Sequence, residues 1–296
     1  MDCPGVTVIG FDDSGSQMLS SDARGLFRRS VSLTASSVRF GPAEQLVDEP
    51  AYSFGASADG RRVVFMSLSG PDLVVLDLES QLRRRSYRTM PSAHHAVISP
   101  DGRWAAVNAW HSPGAEIWNL DSGRVAARLD VGAQTTLSFS SGGQWLVVHE
   151  PTQFARIRVG EWNNARLARL PITTGRVSYS SDGRRMIGYD ERGVLHMVDL
   201  ECLVEIAAFT PPDPTGIVGA ALSADGATLA AFTFRGAFLQ LWDIRRVRME
   251  LASMGLDWED PPCRANTIDR PAEPLRLVFE SGEDQIRSGG VSDRSP

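Results

Sequence analysis

The chain has 296 residues, a formal net charge of -6 and no lysine, so all 30 of its basic residues are arginine. A phosphate-loop NTPase, a protein kinase and a pyridoxal enzyme each need a lysine on phosphate or cofactor, and all three are thereby excluded. The acidic balance, with a pI near 5.4, opposes a nucleic-acid footprint.

The first ten residues carry no basic side chain and no signal-peptide core, and no run approaches the ~18 apolar residues of a membrane span. A cytoplasmic location is the expectation, with no membrane partner. Cys3, Cys202 and Cys263 are odd in number and lack a Cys-x-x-Cys pair, which predicts neither a disulfide framework nor a zinc site.

The first element starts near Val6, and Asp13-Ser14-Gly15 marks its turn. The segment Asp22-Ala23-Arg24-Gly25-Leu26 that follows has a counterpart far downstream in Asp190-Glu191-Arg192-Gly193-Val194. From there a Ser-x-Asp-Gly turn recurs at Ser57–Gly60, Ser99–Gly102, Ser180–Gly183 and Ser223–Gly226, with a degraded copy at Ser140–Gly143. Positions 59, 101, 142, 182 and 225 are separated by 42, 41, 40 and 43 residues. So regular a period indicates six copies of one supersecondary unit.

Each period predicts its strands in the same order. An apolar run precedes the turn (His95–Ile98, Gly219–Leu222) and another follows it (Arg62–Phe65, Gln144–Val148), the two forming a hairpin. A third strand ends in Val75–Leu78, Ile117–Leu120, Met197–Leu200 or Leu241–Ile244. A fourth alternates apolar and polar residues, as in Arg124–Leu129 and Ala165–Leu170, the pattern of a solvent-facing edge.

Four strands per period with Trp242-Asp243 closing the third, Trp118-Asn119 nearly matching it, and Leu76-Asp77 and Val198-Asp199 keeping the aspartate, resemble the WD-repeat β-propeller family. The resemblance covers Val6 to Asp243. It implies an all-β propeller of six four-stranded repeats, where seven are commonest, and the family's Gly-His dipeptide is absent.

Beyond Asp243 the apolar residues Ile244, Val247, Leu251 and Met254 stand at helical spacing, with Asp243 as N-cap and Gly255 as stop. A short C-terminal helix is expected over 244–258, with an outer propeller strand over Arg248 to Ser253 as the competing reading, then a Pro-rich, mostly disordered tail over 259–296 with one strand at 275–279. Gly255-Leu256-Asp257-Trp258 followed by Pro261-Pro262 resembles the ending of propeller regions in large bacterial proteins associated with serine/threonine kinases.

No nucleophile elbow, zinc helix, calcium loop or dinucleotide fingerprint occurs, so no catalytic residue, metal or cofactor is expected. The Asp-Gly carboxylates read as turn residues accepting their own backbone N–H groups. The family resemblance places partner contacts on the loops joining fourth to first and second to third strands. Here those loops carry His94, His95, Trp110, His111, Phe154, Arg176, Arg192 and Arg235, which implies a scaffold for a protein or peptide partner. The alternative is an enzyme-type propeller, lactonase-like or peptidase-associated, with a ligand in its central channel.

Overall fold

The computed structural model describes residues 8–12, 15–34, 36–68, 70–79, 83–150, 153–173, 177–212, 216–223, 225–233, 239–258 and 276–279. Six antiparallel sheets follow one another in chain order as the blades of a β-propeller. Blade 1 holds β1 (Val8–Phe11), β2 (Gln17–Asp22) and β3 (Gly25–Leu33), with β4 (Ser37–Phe40) and β5 (Glu44–Val47) both paired to the long β3. Blade 2 comprises β6 (Ala51–Ala56), β7 (Arg62–Ser67), β8 (Asp72–Asp77) and β9 (Arg83–Arg88). Blade 3 comprises β10 (Ala93–Ile98), β11 (Trp104–Ala109), β12 (Ala115–Asn119) and β13 (Arg124–Leu129). Blade 4 follows with β14 (Thr136–Phe139), β15 (Trp145–Glu150), β16 (Gln153–Arg158) and β17 (Ala165–Ala168). Blade 5 has β18 (Ser178–Tyr179), β19 (Arg185–Tyr189), β20 (Leu195–Asp199) and β21 (Val204–Phe209). Blade 6 has β22 (Ile217–Leu222), β23 (Thr228–Thr233) and β24 (Leu239–Asp243), and helix α1 (Ile244–Ser253) follows directly.

The sixth repeat therefore departs from expectation: among the described residues it has three strands, because the chain enters a helix where other blades turn into a fourth strand. The tail strand is present as β25 (Arg276–Phe279), and it runs parallel to β4 at the edge of blade 1. Residues 259–275 and 280–296, expected to be disordered, lie outside the described residues.

Side chains alternate across a strand, and in blades 2 to 5 both faces are apolar because each meets a neighbouring blade. Val63 and Phe65 of β7 join Leu19 and Leu26 of blade 1, while Val64 and Met66 join Ala96 and Val107 of blade 3. The same division gives cores between blades 3 and 4 (Ile117, Leu146), 4 and 5 (Val147, Met186) and 5 and 6 (Met197, Leu229). Among the described residues no such cluster joins blade 6 to blade 1.

The repeated turn explains itself chemically. In each full copy the serine hydroxyl donates to the aspartate two residues on, at 2.5 to 2.7 Å (Ser57, Ser99, Ser180, Ser223). The same oxygen accepts the N–H five residues on, from Arg62, Trp104, Arg185 or Thr228. Ser140 of the degraded copy keeps only the second bond, from Trp145. The glycines sit at φ from +66° to +70°, left-handed backbone that disfavours any residue with a Cβ. The aspartate of the Trp-Asp position begins the next turn: Asn119 accepts from Ser122 N–H, Asp199 from Cys202 N–H, and Asp243 from Arg246 N–H as N-cap of α1. Ile244 is buried, whereas Met254 lies past the helix end and is exposed, contrary to its place in the apolar spacing. Buried Arg248 fixes the helix exit by a two-pronged bond to Asp257 at 2.9 and 3.0 Å, with its guanidinium over the Trp258 ring.

Candidate functional site

Antiparallel succession puts the loops before first strands and between second and third strands on one rim, and the Ser-x-Asp-Gly turns on the other. On the first rim, blade 3 builds a compact aromatic feature. Trp110 directly follows β11 with 41% of its surface exposed, yet its backbone is held at both ends. Its N–H donates to His94 Nδ1 at 3.0 Å, and its carbonyl accepts the N–H of Gln134 at 2.8 Å. The His94 and Trp110 rings meet edge to face, centroids 6.4 Å apart.

For His94 to accept at Nδ1 the imidazole must be neutral, with its proton on Nε2. Burial, aided by the neighbouring charge of His111, lowers its pKa below 6.5 and favours that state, against an opposing backbone hydrogen bond at Ser92. His111 itself is exposed beside Trp110. His95 points elsewhere: its Nδ1 lies 3.2 Å from Asn108 Oδ1, and Asn108 in turn donates to the carbonyl of Thr135. Burial lowers the His95 pKa as well. It belongs to the strand scaffold under the loop.

Phe154 requires a correction. It lies in β16, only 1% exposed, among Val147, Ile172 and Met186, because the turn before it is shorter than the loop reading assumed. It packs two blades together and offers no surface contact. Arg192 is on the matching turn of blade 5, with its N–H donated to Asp190 and its side chain extended into solvent. The parallel between the two sequence segments holds here, since Arg24 N–H donates to Asp22 in the same way. Arg176 and Arg235 lie outside the described residues. Thus His94, Trp110 and His111 are brought together, and among the described residues Phe154 and Arg192 are not joined to them. Gln134, which sits at φ +61°, was missed, and nothing in a lone glutamine between strands signals such a role.

The opposite rim carries a polar cleft of about 300 Å³ between blades 2 and 3. Arg62 bonds Asp121 and the Gly102 carbonyl at 2.8 and 2.9 Å, and Arg61 pairs with Glu79 at 2.6 Å. These charges neutralise one another and are largely exposed, so each pair is worth about 0–1 kcal/mol. The cleft stitches neighbouring blades.

No protein-family model and no curated protein matches the sequence. Solved structures do resemble it: Kluyveromyces lactis Hsv2 (complete loop 6CD) superposes with a TM-score of 0.64 at 13% identity, over 81% of this chain and 73% of that one. The fold is a six-bladed β-propeller. A likeness at 13% identity establishes the fold of this propeller and nothing of its chemistry.

Proposed function

We propose that this propeller is a non-catalytic interaction scaffold of the WD-repeat kind, which engages a protein or peptide segment through the rim that carries Trp110. One observation carries the reading. Trp110 is a large apolar surface residue on a backbone held by His94 and Gln134, so little ordering entropy opposes its use as an anchor. Tryptophan is among the residues that dominate binding energy at interfaces, and a pre-set one surrounded by polar groups is the usual form of such a hot spot. The Gly255–Trp258 ending supports a partner from a bacterial serine/threonine kinase system. The period, the Trp242-Asp243 dipeptide and the recurrent turn support the family assignment.

The test is affinity capture with the whole chain from its own lysate, followed by titration of whichever protein is retained. Trp110→Ala is expected to weaken that binding at least tenfold, about 1.4 kcal/mol or more, with an unchanged melting temperature. Undiminished binding by Trp110→Ala would remove this rim from the proposal.

A further inference from the structure

Blade 6 shows the apolar pattern of an interior blade on a face that no other described residues cover. By strand register, the pairs Ile187–Met197 and Tyr189–Leu195 of blade 5 correspond to Ala230–Leu241 and Phe232–Leu239 of blade 6. In blade 5 those side chains are buried against the next blade, at 6% exposure or less. In blade 6 Phe232, Leu239 and Leu241 are 44%, 62% and 60% exposed.

Among the described residues the edge beside this face is open too. Blades 2 to 5 each pair their third strand with an antiparallel fourth, whereas β24 ends its sheet. Ile244 donates its N–H back to Ala227. By strand alternation Gln240 and Trp242 also turn their backbone groups to β23, and Leu239, Leu241 and Asp243 turn theirs outward. The chain cannot supply the missing strand by the route other blades use, because α1 begins at the next residue and is locked by the Arg248–Asp257 pair. Its next described strand, β25, is paired with β4 instead.

We infer that the edge of β24 is a strand-addition site, taken by an extended segment of a partner polypeptide that runs antiparallel to it. Blades 3 and 5, whose third strands are apolar at both outward positions as β24 is, show which side chains suit it. Opposite the counterparts of Leu239 stand Leu129 in blade 3 and Phe209 in blade 5, and opposite those of Leu241 stand Ala127 and Ala207. The incoming strand therefore carries a small apolar residue followed, two positions on, by a bulky one. Backbone pairing gives affinity and the alternate side chains give selectivity. This site is separate from the Trp110 rim, and either can fail without the other.

The probe is a labelled peptide copying residues 123–131, titrated into the whole chain with hydrogen exchange followed at β24. Saturable binding is expected, with slowed exchange at Leu239, Leu241 and Asp243. Affinity should fall tenfold or more in Leu239→Glu and Leu241→Glu, whose exposed positions leave melting unchanged, and in a peptide with proline at its Ala127 position. The inference is overturned if those amides are already protected without peptide in a monomer, which means the chain covers its own edge. Protection that rises with protein concentration alongside dimer mass overturns it in favour of a second copy, and binding indifferent to both glutamate variants overturns it outright.

Discussion

The two rims of the propeller are made by different rules. On the Ser-x-Asp-Gly rim the four full turns repeat one hydrogen-bond set, and neighbouring turns touch: Ala58 N–H donates to the Pro100 carbonyl, and Gly142 and Gly183 lie backbone to backbone. On the other rim the loops share no common turn motif, and only there does a tryptophan stand out on a fixed backbone. Regularity marks the residues that join blades, and departure from it marks those free to meet a partner. If that division is right, substitutions on the repeated rim cost stability and leave binding alone, and substitutions on the irregular rim do the opposite.

The sharpest break of the repeated rim is Gly183→Ala. A Cβ there would adopt φ +66° and meet the backbone nitrogen of Gly142 at 2.7 Å, where neither blade can yield without moving a strand. A loss of about 3 kcal/mol is expected from strain and clash together, measured by urea unfolding. Gly160→Ala is the control: its φ is +91° but its Cβ would meet nothing within 4 Å, so about 1 kcal/mol of strain remains. Equal losses would show that contact between turns contributes nothing.

Ser99→Ala is the next step down. The side chain is buried at 1% exposure, and its loss removes the bond to Asp101 and orphans Trp104 N–H, for an expected 1–2 kcal/mol, roughly the cost of an unsatisfied buried donor. Acid should weaken the same rim. Burial tends to raise the carboxyls of Asp59, Asp182 and Asp225, but serine hydroxyls, backbone N–H groups and nearby arginines hold them below 3.8. A folded-state pKa below that of the unfolded chain gives stabilisation that is complete above about pH 4 and is lost as pH falls through the folded values. Unfolding midpoints should therefore drop as pH falls below about 4, with a shallower drop in Asp182→Asn.

Much of this was legible in the sequence, and the reason is repetition. A turn that must supply the same hydroxyl, carboxylate and left-handed glycine in every blade leaves the same letters at a fixed period. The helix was equally readable, since Asp243 caps it and Gly255 ends it. What escaped was non-periodic or depended on the neighbour. Phe154 looked like a loop residue because only two residues separate β15 from β16, too few to show where one strand ends. The exposure of Leu239 and Leu241 was invisible, because the letters of a third strand are the same whether or not a fourth covers it. Gln134 carries no local mark of its bond to Trp110.

The smallest effect lies on the irregular rim, at His94. Its neutral form accepts the Trp110 N–H, and protonation turns that acceptor into a donor facing a donor. Because burial holds its pKa below 6.5, the unfolded chain binds a proton before the folded one does. The contribution of His94 is thus whole above about pH 6.5 and declines as pH falls through the folded value. Stability should change by less than about 1 kcal/mol, yet partner affinity should fall over the same range as the tryptophan is released. Titrating the His94 ring by NMR beside a binding assay tests this. An affinity that falls with the His94 titration in the wild type but stays level with pH in His94→Gln would tie the anchor to the imidazole. A wild-type affinity indifferent to His94 protonation would show that Trp110 is held by Gln134 and its own packing.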